Sequence, residues 1–116
     1  PVFCALSHDG KGQLLNTNAD TIAATLAAEM TSHYEVHLNY CFEKNGVLKD
    51  VNEDDSFIPS INKEEFKKLK SDGIIHNGML PKLQNCFTAL EKGVKFIKIG
   101  NPKMITETGI YTQITN

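Results

Sequence analysis

Two amides and a carboxylate stand close together where an apolar helix is predicted to begin. Asn16, Asn18 and Asp20 lead directly into a helix that we predict over residues 21–30. Polar side chains at the junction of an extended segment and a helix are often ligand contacts in α/β proteins. A purely structural role also fits, with Asn18 as the helix N-cap and Asp20 as a first-turn acid favoured by the helix dipole. This stretch alone does not decide between the two.

A second stretch of the chain favours an anion site. Residues 73–82 (GIIHNGMLPK) form a glycine-bounded loop that opens into a helix predicted over residues 79–92, whose free N–H groups attract negative charge. Lys82 falls in the first turn, where the dipole opposes a cation, so its partner is either water or an anionic group. Taken together, the two stretches suggest half of a phosphoryl-transfer site. Lys82 would meet phosphoryl oxygens, Asp20 would hold the lysine, and Asn16 would bind a polar substrate.

Length and composition indicate one domain and restrict its partners. The chain has 116 residues, 41% hydrophobic and 22% charged, and a net charge of −2. All basic residues are lysines, and the lack of arginine argues against a nucleic-acid partner. No apolar run is long enough to span a membrane, and no signal peptide is recognisable. Three scattered cysteines without metal-ligand spacing predict reduced thiols in a cytoplasmic protein that has no metal site of its own.

Hydrophobic periodicity and turn residues predict an α/β domain with a mostly parallel sheet covered by helices. Residue 1 opens directly on an apolar strand, which suggests a piece of a longer protein. The first half is predicted to contain a buried strand over 2–7 with a return strand at 13–15, the helix 21–30 and a strand at 34–38. An irregular segment over 39–59 follows. The second half is predicted to contain a helix that starts with a capping box at Asn62 and stops at Gly73, the helix 79–92, and strands at 94–99 and 111–115.

At this point the motifs resemble a known family. Residues 12–20 (GQLLNTNAD) resemble the Asn-x-Asn-Ala-Asp motif of acetylglutamate kinases, and residues 73–82 resemble that family's Gly-Ile-Ile-x-x-Gly-Met-x-x-Lys segment. Residues 47–50 look like the hairpin that follows the family's nucleotide loop. The resemblance covers essentially the whole chain. It implies the three-layer α/β/α fold of the amino acid kinase superfamily, with residues 1–116 as the C-terminal, nucleotide-binding lobe and the N-terminal lobe missing.

The resemblance also implies roles for particular residues. Asn16 would contact the acylglutamate, Asp20 would organise the catalytic lysines, and Lys82 would stabilise the transition state. The implied ATP-binding residues are Tyr40, Cys41, Gly46, Ile74, Ile75, His76 and Met79. The nucleotide loop, residues 38–46, departs from the family pattern: it is longer, and Tyr40 stands where the family has an aspartate. Tyr40 or Phe42 would either stack on adenine or pack in the core.

The leading functional prediction is ATP-dependent phosphorylation of the side-chain carboxylate of N-acetylglutamate or another N-acylglutamate, in arginine biosynthesis. ATP would act as co-substrate together with Mg²⁺, and the isolated fragment would be inactive. Two alternatives stay open: another member of the amino acid kinase superfamily, or a non-catalytic α/β module that senses a nucleotide or another ligand. The expected partners are these small molecules and the missing lobe, and a homo-oligomer is a further candidate.

Overall fold

The computed structural model describes residues 1–75, 78–106 and 109–116. Within these ranges the chain forms three α-helices and six strands, with short 3-10 turns at Asp54–Ser56 and Pro102–Ile105. The helices are α1 (Ala19–Met30), α2 (Lys63–Ser71) and α3 (Met79–Glu91). The strands are β1 (Leu6–His8), β2 (Leu14–Asn16), β3 (His37–Cys41), β4 (Ser60–Ile61), β5 (Phe96–Gly100) and β6 (Tyr111–Ile114).

Four of the strands form one sheet in the order β3-β5-β6-β4. The pairs β3/β5 and β4/β6 are parallel, and β5/β6 is antiparallel. This confirms the predicted α/β class and the mostly parallel sheet. Because β3 and β5 are parallel neighbours, the chain between them must cross over, and α2 and α3 lie in that crossover.

Among the described residues, the three helices pack against the same face of this sheet. Alternate strand residues are buried there, as period-two geometry requires, whereas His37 and Asn39 on the other face of β3 are exposed. The described part of the chain therefore contains the sheet and one helical layer. The core joins the three helices to the strands through Ala24, Ala27, Phe66, Leu69, Leu83, Phe87, Leu90, Ile97, Ile99 and Ile114.

Local signals explain why the helices begin and end where they do. The Asn18 side chain accepts a hydrogen bond from the N–H of Thr21, as predicted for the cap of α1. Asn62 and Glu65 form the predicted capping box of α2. Pro81 lies in the first turn of α3, where a missing N–H costs nothing. Gly93, with a φ of 102°, follows the C-terminus of α3 in a conformation that favours glycine.

The prediction of a buried strand over residues 2–7 is wrong. Regular strand structure covers only β1, which pairs antiparallel with β2 as a separate hairpin. Val2 is fully exposed and Phe3 is 66% exposed, because this hairpin does not join the four-stranded sheet. The strand predicted at 34–38 begins later, at His37. The N–H groups of His33 and Tyr34 both donate to the C=O of Met30, so the turn that ends α1 occupies these residues.

Candidate active site

The first turns of α1 and α3 meet in an ion pair. Lys82 Nζ lies 2.7 Å from Asp20 Oδ1, although the two residues are 62 positions apart. The side chains are 17% and 27% exposed, so the pair is partly shielded but open on one side. Asp20 suits the N-terminus of α1, whereas Lys82 opposes the dipole of α3. The carboxylate therefore compensates for the unfavourable position of the lysine. Of the two partners that the sequence allowed for Lys82, water or an anionic group, the structure shows the anionic group.

Tyr40 contacts both members of this pair from β3. Its hydroxyl donates a 2.8 Å hydrogen bond to the backbone C=O of Asp20, and Lys82 Nζ lies 4.6 Å from the centre of its ring. The residue is only 6% exposed. Burial raises the pKa of the Tyr40 phenol well above its ordinary value, and the nearby Cys86 and Asp20 raise it further. The hydroxyl is therefore a neutral hydrogen-bond donor at physiological pH.

Cys86 lies in α3, one turn after Lys82, and is completely buried. Burial raises the pKa of its thiol to about 12; Lys82 acts in the opposite direction, and Asp20 adds to the increase. A thiol in this state is not a nucleophile near neutral pH, because the thiolate is the reactive form. Cys86 is thus part of the packing beneath the ion pair.

An apolar cavity of about 260 Å³ reaches α3 at Met79, one helical turn before Lys82. Its lining residues are Phe42, Glu43, Lys44, Gly46, Val47, Leu48, Val51, Ile74, Ile75 and Met79. Met79 precedes Lys82 by three residues on α3, and Phe42 comes directly after β3, two residues beyond Tyr40, so the cavity and the pair share one side of the fold. Four residues predicted to bind ATP therefore line one cavity: Gly46, Ile74, Ile75 and Met79.

The remaining predicted site residues lie elsewhere. Tyr40 packs beside the cavity without lining it, and Cys41 is exposed on the opposite face of β3. Asn16 is exposed at the end of β2, four residues before Asp20. His76 lies outside the described residues. The binding roles predicted for these residues stay predictions.

A buried hydroxyl that the sequence did not single out holds the cavity wall to the sheet. Thr112 Oγ1 accepts a 2.8 Å bond from the N–H of Val47 and donates a 2.6 Å bond to the C=O of Ile58. Thr112 is completely buried, and a Cβ on Gly46 would lie only 2.5 Å from its Oγ1. The glycine therefore allows the chain to pass close to this hydroxyl. Thr112 is one of nine threonines in the sequence, and nothing in its neighbouring residues signals such a role.

The described part of the chain contains neither a cluster of metal-binding side chains nor a membrane-spanning helix. Residues 1–75, 78–106 and 109–116 contain no group of three or more His, Cys, Asp or Glu side chains that could hold a metal ion. Over the same ranges, no helix is both long enough and apolar enough to cross a membrane. The cytoplasmic location stays a prediction.

Comparison with known proteins shows the family to which this chain belongs. The model of the amino acid kinase family matches residues 1–101, and the chain belongs to that family. More particularly, it is 53% identical to the acetylglutamate kinase of Phocaeicola vulgatus over 107 residues, which is 92% of this chain and 42% of that protein. It is 46% identical to the acetylglutamate kinase of Azobacteroides pseudotrichonymphae over 114 residues, 98% of this chain and 44% of that protein. The chain thus spans about two fifths of these relatives, and the resemblance noted from its motifs is confirmed.

Solved structures support the same fold. The protein smu.665 from Streptococcus mutans UA159 superposes with a TM-score of 0.76 at 23% identity, covering 96% of this chain and 40% of that one. The N-acetylglutamate synthase of Neisseria gonorrhoeae, complexed with coenzyme A and N-acetyl-glutamate, also gives a TM-score of 0.76, at 21% identity. That match covers 97% of this chain and 26% of the synthase. At such identities the likeness concerns the fold alone.

Proposed function

We propose that this chain is the C-terminal, nucleotide-binding lobe of an N-acylglutamate kinase. The whole enzyme would transfer the γ-phosphoryl group of ATP to the side-chain carboxylate of N-acetyl-L-glutamate or another N-acylglutamate, as a step of arginine biosynthesis. The observation that carries the proposal is the Asp20–Lys82 pair, which joins two helix N-termini beside an apolar cavity. Membership of the amino acid kinase family and the named relatives support the same activity.

The cavity would hold the base of ATP. Its volume of about 260 Å³ lies just below the roughly 300–1,000 Å³ of typical ligand pockets, which suits a flat base better than a whole nucleotide. Its walls are mainly aliphatic, with Lys44 and Glu43 as the charged residues of the lining. The triphosphate would then extend toward Lys82 and the N-terminus of α3, where a cation and free N–H groups favour negative charge. Mg²⁺ would enter bound to the phosphates.

Lys82 would provide the charge needed during phosphoryl transfer. An oxygen of the substrate carboxylate attacks the γ-phosphorus while the bond from that phosphorus to the bridging oxygen breaks, and ADP leaves with the bonding electrons. No proton has to be removed, because the attacking carboxylate is already ionised. Catalysis then depends on positioning and on stabilising the charge of the phosphoryl oxygens. Asp20 would hold the ammonium in place, and Asn16 would contact the acylglutamate.

The rest of the enzyme would supply the opposite wall of the site. Exposed apolar side chains in the β1/β2 hairpin, such as Leu6 and Leu14, offer a surface that the missing lobe would cover. The isolated chain would therefore bind nucleotide weakly and catalyse nothing. A homo-oligomer and a cytoplasmic location complete the proposal.

The proposal is tested with the full-length protein by measuring ADP release in the presence of acetylglutamate. We expect Lys82→Ala and Asp20→Ala to lower kcat by on the order of a hundred- to a thousand-fold, as for the removal of a positioned transition-state charge. Lys67→Ala is the matched control, because it removes an exposed lysine of α2 that lies outside the site. Wild-type turnover in both site variants would overturn the assigned roles.

Two other functions predict different results in the same experiments. If the chain belongs to an amino acid kinase with another substrate, a panel of acylglutamates, glutamate, aspartate and carbamate will identify it by its kcat/KM. A ligand-sensing module would release no ADP with any of them. It would instead bind arginine in the absence of nucleotide, which calorimetry would detect.

A further inference from the structure

We propose that Tyr40 is a positioning residue, which holds the Lys82 ammonium and the backbone of Asp20 in the arrangement needed for phosphoryl transfer. This inference rests on the proposed kinase function. It differs from the nucleotide-binding role predicted for Tyr40 from the sequence, because it assigns the side chain to the catalytic pair and not to the base.

The Lys82 ammonium is held by a carboxylate and by an aromatic ring. The Lys82 ammonium lies 2.7 Å from the carboxylate of Asp20 and 4.6 Å from the centre of the Tyr40 ring. An ammonium attracts the negative face of an aromatic ring, most strongly where water is partly excluded. The ring adds attraction without a second formal negative charge. The lysine is thus restrained from two directions and keeps its positive charge available for phosphoryl oxygens.

Tyr40 also contacts Asp20, the partner of Lys82. The Tyr40 hydroxyl donates a hydrogen bond to the backbone C=O of Asp20, the residue whose carboxylate holds Lys82. A single side chain on β3 therefore touches the first turn of α1 and the lysine of α3. Because the core holds β3 firmly, Tyr40 can fix the distance between these two helix ends.

The Tyr40 ring is not placed to stack on adenine. Stacking on adenine requires an exposed ring face, but Tyr40 is only 6% exposed and does not line the apolar cavity. Its neighbour Phe42 does line the cavity and is half-buried, so Phe42 is the aromatic residue placed to meet a base. Tyr40 therefore acts on the reaction through Lys82 and Asp20.

The test separates the hydroxyl from the ring in the full-length enzyme. Tyr40→Phe removes only the bond to Asp20, and we expect kcat to fall about two- to ten-fold. Tyr40→Leu removes the ring as well, and the expected fall is roughly 3- to 30-fold beyond that of the phenylalanine variant. The KM for ATP should change little in both variants. Ile97→Val is the control, since it removes a methylene from the same buried face of the sheet and should keep the wild-type kcat.

A double-mutant cycle with Lys82→Ala distinguishes positioning from simple loss of structure. If Tyr40 acts through Lys82, Tyr40→Leu has no further effect on kcat once Lys82 is gone. An equal loss in both backgrounds, or a Tyr40→Leu variant with the wild-type kcat, would overturn the inference. If the leucine variant fails to fold, the same cycle with Tyr40→Phe tests the inference. The smaller fall in kcat caused by Tyr40→Phe must also disappear in the Lys82→Ala background.

These outcomes are distinct from failure of the proposed function. An inactive wild-type enzyme would overturn the kinase assignment itself, and a fully active Lys82→Ala variant would overturn the role assigned to Lys82. An active enzyme that needs Lys82 but tolerates Tyr40→Leu would overturn only the role of Tyr40.

Discussion

Replacing Thr112 by valine should loosen the wall of the cavity while keeping its shape. Val47 and Ile58 lie opposite each other, and the N–H of Ile58 donates a 2.8 Å bond to the C=O of Val47. The reciprocal bond is not direct, because the Thr112 hydroxyl stands between the N–H of Val47 and the C=O of Ile58 and bonds to both. Valine has nearly the size of threonine but cannot make either bond.

The size of the effect follows from the two groups that lose their partner. A buried N–H or C=O left without a hydrogen bond costs about 1–3 kcal/mol, and the additional buried methyl of valine recovers about 0.8 kcal/mol. We therefore expect Thr112→Val to destabilise this region by about 1–5 kcal/mol. Thr112→Ser keeps the hydroxyl and loses one methyl, so it should cost only about 1 kcal/mol.

Native-state hydrogen exchange at the Ile58 amide is the appropriate assay. This amide keeps its own acceptor, Val47 C=O, in both variants, so faster exchange reports opening of the segment and not the lost bond itself. Thr112→Val should accelerate the exchange by about 5- to 5,000-fold, which corresponds to about 1–5 kcal/mol, and should raise the KM for ATP. If the valine variant exchanges like the wild type, or the serine variant exchanges faster than the valine variant, the hydroxyl does not secure this wall.

Two further predictions concern Gly46 in the cavity wall and Cys86 beneath the ion pair. Gly46→Ala should cost about 1–3 kcal/mol in unfolding free energy and weaken nucleotide binding, because the new methyl would lie 2.5 Å from Thr112 Oγ1; a variant with wild-type stability in urea would contradict this. The pKa of the Cys86 thiol rises from 9.0 to about 12 on folding, so the unfolded state loses the proton first and stability falls between pH 9 and pH 12. Between pH 8 and pH 10 the wild type should lose about 1.4 kcal/mol more unfolding free energy than Cys86→Ala, as measured by urea denaturation. Equal pH slopes for the two proteins would refute this.

Sequence reasoning succeeded where a structure is specified by neighbouring residues. Asn18, the capping box at Asn62, Pro81 and Gly93 each act within one helical turn, so their patterns can be read directly. The predicted helix ends accordingly lie within two residues of those observed. The class of the sheet followed from the alternation of strands and helices, which is again a property of sequence order.

The same reasoning failed where burial depends on what covers a segment. Residues 2–7 are apolar enough for a buried strand, but burial requires a covering element, and Val2 and Phe3 are exposed here. The role of Thr112 was equally invisible, because its two partners lie 65 and 54 residues earlier in the chain. Side-chain type can suggest a hydrogen-bonding role, but only the fold determines which backbone groups lack a partner.

The ion pair shows how a local conflict in the sequence can point to a distant contact. Lys82 in the first turn of α3 is locally unfavourable, and Asp20 in the first turn of α1 is locally favourable, so neither residue alone identifies a site. The conflict at Lys82 left water or an anionic group as its partner, and the fold supplies Asp20 at 2.7 Å. The contact of Tyr40 with both residues left no comparable sign, because an aromatic residue in a strand is unremarkable in itself. Unfavourable local placement therefore made a charged partner one of two candidates, whereas the contact of Tyr40 with both helix ends required the three-dimensional structure.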